Sequence, residues 1–227
     1  SILGKEGEVV YNNKAETIEF HTLTIPRKGF YKLKLPDGSV VYLNSESSIH
    51  FPTAFNGNER KVTVTGETYF EVAPDKTKPF LVKVNETTIT ALGTAFNINA
   101  YTNEPSITTS LVEGSIKVSL KNGKSKVLLP GQKASITSDK IDVATKDLEF
   151  ETAWTRNQFK FTNTPLPAIM RNIARWYDAD IEYKDQVNVE LNATIDRDVP
   201  VSKLLYLLAK TEEVHFKIEG KKIIVTK

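Results

Sequence analysis

The chain has 227 residues, 40% hydrophobic and 26% charged, long enough for two buried cores and too apolar for disorder. Its net charge is only +2, and its 30 Lys and Arg residues are scattered, which argues against direct binding of nucleic acid or an anionic membrane surface. The lack of cysteine excludes disulfides, thiolate metal sites and cysteine nucleophiles, and no apolar run approaches the roughly 18 residues of a membrane span.

Residues 1–19 read as a lead-in. The Gly4–Gly7 pair within it is a bare GxxG, too sparse for a phosphate-cradling loop. From 20 to 145 the pattern is strand after strand. Tyr31, Leu33 and Leu35 alternate with lysines, Pro36-Asp37-Gly38 supplies a turn, and Val40 to Leu43 runs back, predicting a hairpin. Further strands are expected at 61–65, 69–72, 80–84, 87–92, 96–101, 107–112, 115–120, 126–129 and 133–136. Pro74-Asp75, Asn85-Glu86, Lys121-Asn122-Gly123 and Pro130-Gly131 punctuate them. Many short strands without a helical period predict an antiparallel, jelly-roll-like β-sandwich.

One of these stretches, Gly66-Glu67-Thr68-Tyr69-Phe70-Glu71-Val72, raises the question of a catalytic carboxylate couple. On a strand Thr68, Phe70 and Val72 share one face and Glu67, Tyr69 and Glu71 the other. Four residues of extended chain separate the two carboxylates by about 13 Å, beyond the roughly 5–9.5 Å of paired glycosidase carboxyls. Phe70 and Val72 are therefore expected in the core, with Glu67 and Glu71 exposed to water.

Residues 146–157 read as a connecting segment, with Trp154 expected to tie the two domains together. Residues 158–227 read as a small α+β domain. Thr164 suits a helix N-cap and Pro165 the first helical position; Leu166, Ile169, Met170, Ile173 and Tyr177 then fall on one stripe. A second helix begins near Pro200, where Val201, Leu204, Leu205 and Leu208 repeat that frame. Short strands flank each helix, at 159–161, 181–183, 191–195 and 215–218, giving two βαβ-like repeats whose helices should pack on the same face of one small sheet. A final strand runs from Lys221 to Lys227.

Little in the chain suggests catalysis, metal or cofactor. His21, His50 and His215 are far apart in sequence, with no HxH or HxxxH; no GxSxG or GxxxxGK[ST] occurs. Asp178-Ala179-Asp180 lacks the further ligands of a calcium loop and is better read as the end of the first helix.

Five ordered motifs carry a family resemblance. They are Leu35 to Asn44 (L-x-D-G-S-x-x-x-L-N, with Pro36 inside), Gly66 to Val72 (G-E-[AV]-x-F-x-V, with Thr68 in the small position) and Leu92 to Ile98 (L-G-T-x-F-x-[VI]). Leu111 to Val118 (L-x-x-G-x-[IV]-x-V) and Leu128 to Gln132 (L-x-P-G-[QE]) follow. The segment resembles the β-domain of FecR-type anti-sigma regulators. Residues 158–227 are similar to the domain that follows it in such proteins, itself like the short N-terminal signalling domain of secretins and TonB-dependent receptors. That domain usually closes its second helix on Gly-Thr, where this chain has Lys210-Thr211.

The resemblance implies the periplasmic sensor portion of an anti-sigma factor, without enzymatic activity or cofactor. Its full-length parent would be anchored in the inner membrane by a helix preceding Ser1. The implied partners are the periplasmic signalling domain of a TonB-dependent outer-membrane transporter and, through a cytoplasmic segment absent from this chain, an extracytoplasmic-function sigma factor. A rival reading is a carbohydrate-binding module, for which Tyr42, Tyr69 and Tyr101 would have to form a coplanar exposed platform.

The final strand is the expected partner-binding element. Ile223, Ile224 and Val225 give it apolar side chains on both faces, and Lys221, Lys222 and Lys227 flank it as gatekeepers do at a sheet edge. An edge there would accept an incoming strand; the alternative is that Ile224 packs beneath the β-domain.

Overall fold

The computed structural model describes residues 18–146, 148–210 and 213–227; the Gly4–Gly7 motif, most of the 1–19 lead-in and Thr211 lie outside them. The chain divides into two compact units: one of residues up to Leu148 without Arg27–Gly29, the other of Arg27–Gly29 and Glu149–Lys227.

The first unit is a β-sandwich. Its strands are β1 (Phe20–Thr24), β2 (Tyr31–Lys34), β3 (Val40–Leu43), β4 (Ser48–Pro52), β5 (Arg60–Glu71), β6 (Phe80–Val84) and β7 (Thr87–Ala91), then β8 (Ala95–Ala100), β9 (Ile107–Glu113), β10 (Ile116–Leu120), β11 (Ser125–Leu128), β12 (Gln132–Ile136) and β13 (Ile141–Thr145). One layer runs β1-β4-β5-β6-β7-β10-β11 and the other β2-β3-β5-β8-β9-β12-β13. Pairing is antiparallel except between β5 and β6. The predicted hairpin is present, with Tyr31 opposite Leu43 and Lys34 opposite Val40, turned by Gly38 at φ 86°.

β5 belongs to both layers, which corrects the expectation of separate strands at 61–65 and 69–72. Residues 60–65 pair with β4 and β6, and residues 66–71 with β3 and β8. Gly66, which reads as a break in sequence, is the corner, with φ 75°. A Cβ there would lie 2.4 Å from Ser47 Oγ and 2.7 Å from the Glu46 carbonyl oxygen, so only glycine fits.

Between the layers Phe70 stacks on Phe96 at 5.1 Å and meets Phe80 edge-on at 5.9 Å; all three are fully buried. Arg60, 2% exposed, opens β5 with its guanidinium 5.3 Å from the Phe80 ring centroid. Its Nη1 lies 2.8 Å from Asp37 Oδ2 and 2.8 Å from the Ala73 carbonyl oxygen, and its Nε donates to the Lys78 carbonyl. The pair holds the hairpin tip against the start of β5. Nothing in the sequence around Arg60 marks it as buried.

The second unit begins with α1 (Glu149–Thr152) and a helical turn, Ala153–Arg156, holding the buried Trp154. It continues with β14 (Gln158–Pro165), α2 (Leu166–Tyr177), β15 (Asp180–Tyr183), β16 (Glu190–Asp196), α3 (Val201–Ala209), β17 (His215–Glu219) and β18 (Lys222–Thr226). The predicted stripes are buried: Leu166, Ile169, Met170 and Ile173 on α2, and Leu204, Leu205 and Leu208 on α3.

Two details depart from expectation. The N-cap of α2 is Pro165 itself, at φ −57° and ψ 134°, and Pro200 caps α3 in the same conformation; Thr164 is the penultimate residue of β14. The strand runs right up to the proline, whose fixed φ turns the chain into the helix. The helices also share not one sheet but two. α2 packs on β14 and β15, and α3 on β16 and β17; β14 pairs with β16, while β15, β18 and β17 form a separate sheet.

Phe70→Ala should lower unfolding free energy by about 3–5 kcal/mol through lost burial and a cavity between the layers, measured by urea denaturation. Glu71→Gln, on the exposed face of the same strand, should leave the midpoint unchanged.

Candidate functional site

The carboxylates of β5 do not form a couple. Glu71 is exposed, but Glu67 is 6% exposed and held by amides. Asn44 Nδ2 donates to its Oε2 at 2.7 Å, and Asn97 Nδ2 to its Oε1 at 3.1 Å, with Asn99 Nδ2 at 3.5 Å. Its backbone N–H donates to Ser47 Oγ at 2.8 Å. This overturns the expectation that Glu67 faces water. The alternation assigns it correctly to the face of Tyr69 and Glu71. At the Gly66 corner, however, that face is occupied by the 44–47 segment and by the asparagines of β8 opposite Glu67 and Tyr69. A carboxylate taken up by amide donors is a structural hub rather than a general base.

The other candidates for chemistry are likewise engaged in structure. His50 Nδ1 and Thr22 Oγ1 hydrogen-bond at 2.9 Å, and the register of β1 and β4 sets His21 and His50 on opposite faces. Among the described residues no three His, Asp or Glu side chains gather as a metal ion requires. Asp178 is the left-handed C-cap of α2, at φ 53°. It pairs with Lys221 and, at 3.7 Å, with Arg27, which also reaches Asp180 at 3.6 Å; hydrogen bonding to Lys221 holds its carboxyl below the usual range.

The three tyrosines of the glycan reading do not form a platform. Tyr42 and Tyr69 meet edge to face at an interplanar 64°, and Tyr101 is buried with its hydroxyl donating to the Ser45 carbonyl at 2.6 Å.

The strand expected at an edge is internal. β18 pairs in parallel with β15 and antiparallel with β17, so both of its backbone sides are used. Ile223 and Val225 are 1% and 0% exposed in the core of the unit, and neither is available to a partner. Ile224 lies on the opposite face, beside Glu182 and Lys217. That face is a lattice of charge: Lys184 and Lys222 both pair with Glu182, the latter at 2.7 Å, and Lys217 pairs with Glu219 at 2.7 Å. The hydrogen bond from Lys184, then that from Lys222, brings the Glu182 carboxyl down to about 2. A run of apolar residues on both faces signals an inner strand as readily as an edge, and strand order is not local in sequence.

The edges therefore lie elsewhere. In the three-stranded sheet they are β15, four residues long, and β17, which carries His215, Lys217 and Glu219. In the two-stranded sheet β14 borders α1 and the helical turn that precede it, and is bulged between Phe161 and Thr164, with Asn163 at φ 44°. Among the described residues β16 pairs only with β14.

The repeats lock together through the second half of α2. Trp176 Nε1 donates to the Arg197 carbonyl at 2.8 Å and Tyr177 Oη to that of Val199 at 2.7 Å. The Arg197 guanidinium lies 4.7 Å from the Phe159 ring centroid and 4.5 Å from that of Trp176. Burial pushes the Tyr177 phenol up to about 12.

The sequence profile of the FecR protein family matches residues 21–117, and that of the FecR C-terminal domain matches residues 158–225. No protein of curated function matches the chain. Two crystal structures of a candidate anti-sigma factor from Parabacteroides distasonis ATCC 8503, at 1.65 and 2.50 Å, each superpose with a TM-score of 0.83 at 24% identity. They cover 91% and 92% of this chain and 99% of their own. At that identity they establish the fold: a β-sandwich followed by a small α+β unit.

Glu67→Ala should cost about 1–3 kcal/mol, because the buried amides of Asn44 and Asn97 each lose a carboxylate acceptor; urea midpoints of this variant and Glu71→Gln test the contrast. Tyr177 sets an alkaline limit. With the folded phenol near 12 and the unfolded one near 10, its contribution is complete below about pH 10. It is lost as pH rises through about 12, because only the unfolded state ionises between these values. The melting temperature should fall across that window, and less steeply in Tyr177→Phe.

Proposed function

We propose, from the premise that the chain belongs to the FecR family of anti-sigma regulators, that it is the sensor portion of such a regulator. It relays a signal from a TonB-dependent outer-membrane transporter to an extracytoplasmic-function sigma factor. On this reading residues 18–227 lie in the periplasm, an inner-membrane helix joins them to a cytoplasmic segment, and that segment holds the sigma factor. Nucleic acid is reached only through the sigma factor, and no catalytic step is involved.

The observation that supports the relay is the order of the two units. A rigid sandwich built around one shared strand precedes a two-repeat unit that resembles the signalling domains of the receptors themselves. The second unit offers strand edges outside its core and leaves Tyr183, Tyr206, Leu207 and Ile218 exposed, as an element that pairs with a similar domain can.

The test uses the full-length protein in cells carrying a sigma-dependent reporter and the transporter's inducing substrate. Removal of residues 158–227 should uncouple the reporter from the substrate while leaving the sigma factor bound in co-purification. A reporter that stays inducible by the substrate overturns the relay.

A further inference from the structure

We infer that the free edge of β16 is the docking strand of the C-terminal unit, and that it takes an extended partner segment with basic residues at both ends. This deepens the reading of residues 158–227 as the receiving unit and rests on it.

The four strand ends of this unit's sheets are not equivalent. Natural proteins blunt sheet edges that must not pair, by shortening them, charging them, bulging them or covering them. β15 is short, at four residues. β17 is charged, with Lys217 and Glu219 paired to each other across its exposed face. β14 is bulged and borders α1. β16 is neither short nor bulged, and it carries charge only at its two ends, Glu190 and Asp196. It runs seven residues, Glu190–Asp196, without lysine, arginine, proline or bulge. Its inward residues, Leu191 and Ile195, are buried in the core of the unit, which fixes its register. Among the described residues only β14 pairs with it, so every second residue turns its N–H and C=O to a side where none of them forms a strand.

The outward side chains of β16 are Glu190, Asn192, Thr194 and Asp196. The middle pair is neutral, and Asn192 is occupied by reciprocal hydrogen bonds with Asn163. The ends are acidic, six positions apart. Asp196 Oδ1 accepts one hydrogen bond from Gln158 at 3.2 Å, which leaves its charge in place. The neighbouring cation on β14, Lys160 opposite Thr194, is already paired with Glu149. β16 is therefore an open edge with a negative charge at each end.

That charge pattern selects the occupant. Two copies of this chain pairing antiparallel through β16, centred on Ala193, would set Glu190 against Asp196 at both ends, and like charges directly opposite are destabilising. A second copy is thus disfavoured. A strand with Lys or Arg at its ends and β-branched residues between them instead gains an opposite charge at each end. In the proposed relay such a strand belongs to the transporter's signalling domain.

The test uses the whole chain and two capped seven-residue peptides as probes, Lys-Val-Thr-Val-Thr-Val-Lys and Glu-Val-Thr-Val-Thr-Val-Glu, with amide hydrogen exchange and fluorescence titration at low ionic strength. The basic peptide should bind about tenfold more tightly than the acidic one and slow exchange at residues 190–196. The double variant Glu190→Lys/Asp196→Lys, both exposed positions, should reverse that order. Equal binding of the two peptides overturns the proposal, as does protection that appears at 180–183 or 215–219 instead. Concentration-dependent dimers protected at 190–196 would assign the edge to a second copy and also overturn it. Because these readings need neither transporter nor sigma factor, they can fail while the loss of induction on deleting 158–227 stands, and the reverse.

Discussion

The sandwich depends on one strand serving two layers, and that strand depends on a glycine. β5 can cross from the β4–β6 layer to the β3–β8 layer only if the chain turns at Gly66 while passing within contact of Glu46 and Ser47. A side chain there would collide with the Ser47 hydroxyl and also with the Glu46 carbonyl and Ser47 Cα, and that backbone cannot swing away. From the corner the rest follows in both directions. Val62 and Val64 face the core before it, and Phe70 after it, so a single alternation supplies both halves of the interior.

Polar groups fix what the apolar ones leave free. Arg60 and Asp37 on one side of the corner, and Glu67 with its asparagines on the other, are buried polar sets whose partners come from distant strands. The net stability of such sets is modest, because desolvation offsets most of the attraction. Their larger effect is on alternatives: a one-residue slip of β5 would bury a guanidinium or carboxylate without its partners. The outer face of the β15–β18–β17 sheet is the opposite case. Its lysines and glutamates pair in water, where ion pairs contribute little, and they serve to keep that face and its edges soluble.

What could be read from the sequence follows the range of the physics involved. The hairpin at 31–43 and the helices at 166–177 and 201–209 were legible because turn residues and apolar stripes are local signals. β5 reads as two strands because glycine signals a break and a corner in the same way. Alternation puts Glu67 on the right face but in the wrong medium: it tells which side of a sheet a residue occupies, not what lies over that side. β18 reads as an edge for a related reason. Whether a strand is central or peripheral is decided by partners elsewhere in the chain, here β15 of the first repeat and β17 of the second. The open edge of β16 had the same handicap, although its lack of lysine stands in the sequence for anyone comparing the strands.

The central position of β18 has a consequence for how the protein is made. Among the described residues β15 of the first repeat pairs only with β18, which is made after every other strand of the unit. Until residues 222–226 leave the ribosome, β15 has no sheet to join, and the stripe of Leu166, Ile169, Met170 and Ile173 has only part of its cover. The first repeat therefore cannot mature ahead of the second, and the growing chain carries exposed apolar surface until residues 222–226 have been made. A chain interrupted just short of residue 222 is not a slightly shortened signalling unit but a client for chaperones and proteases.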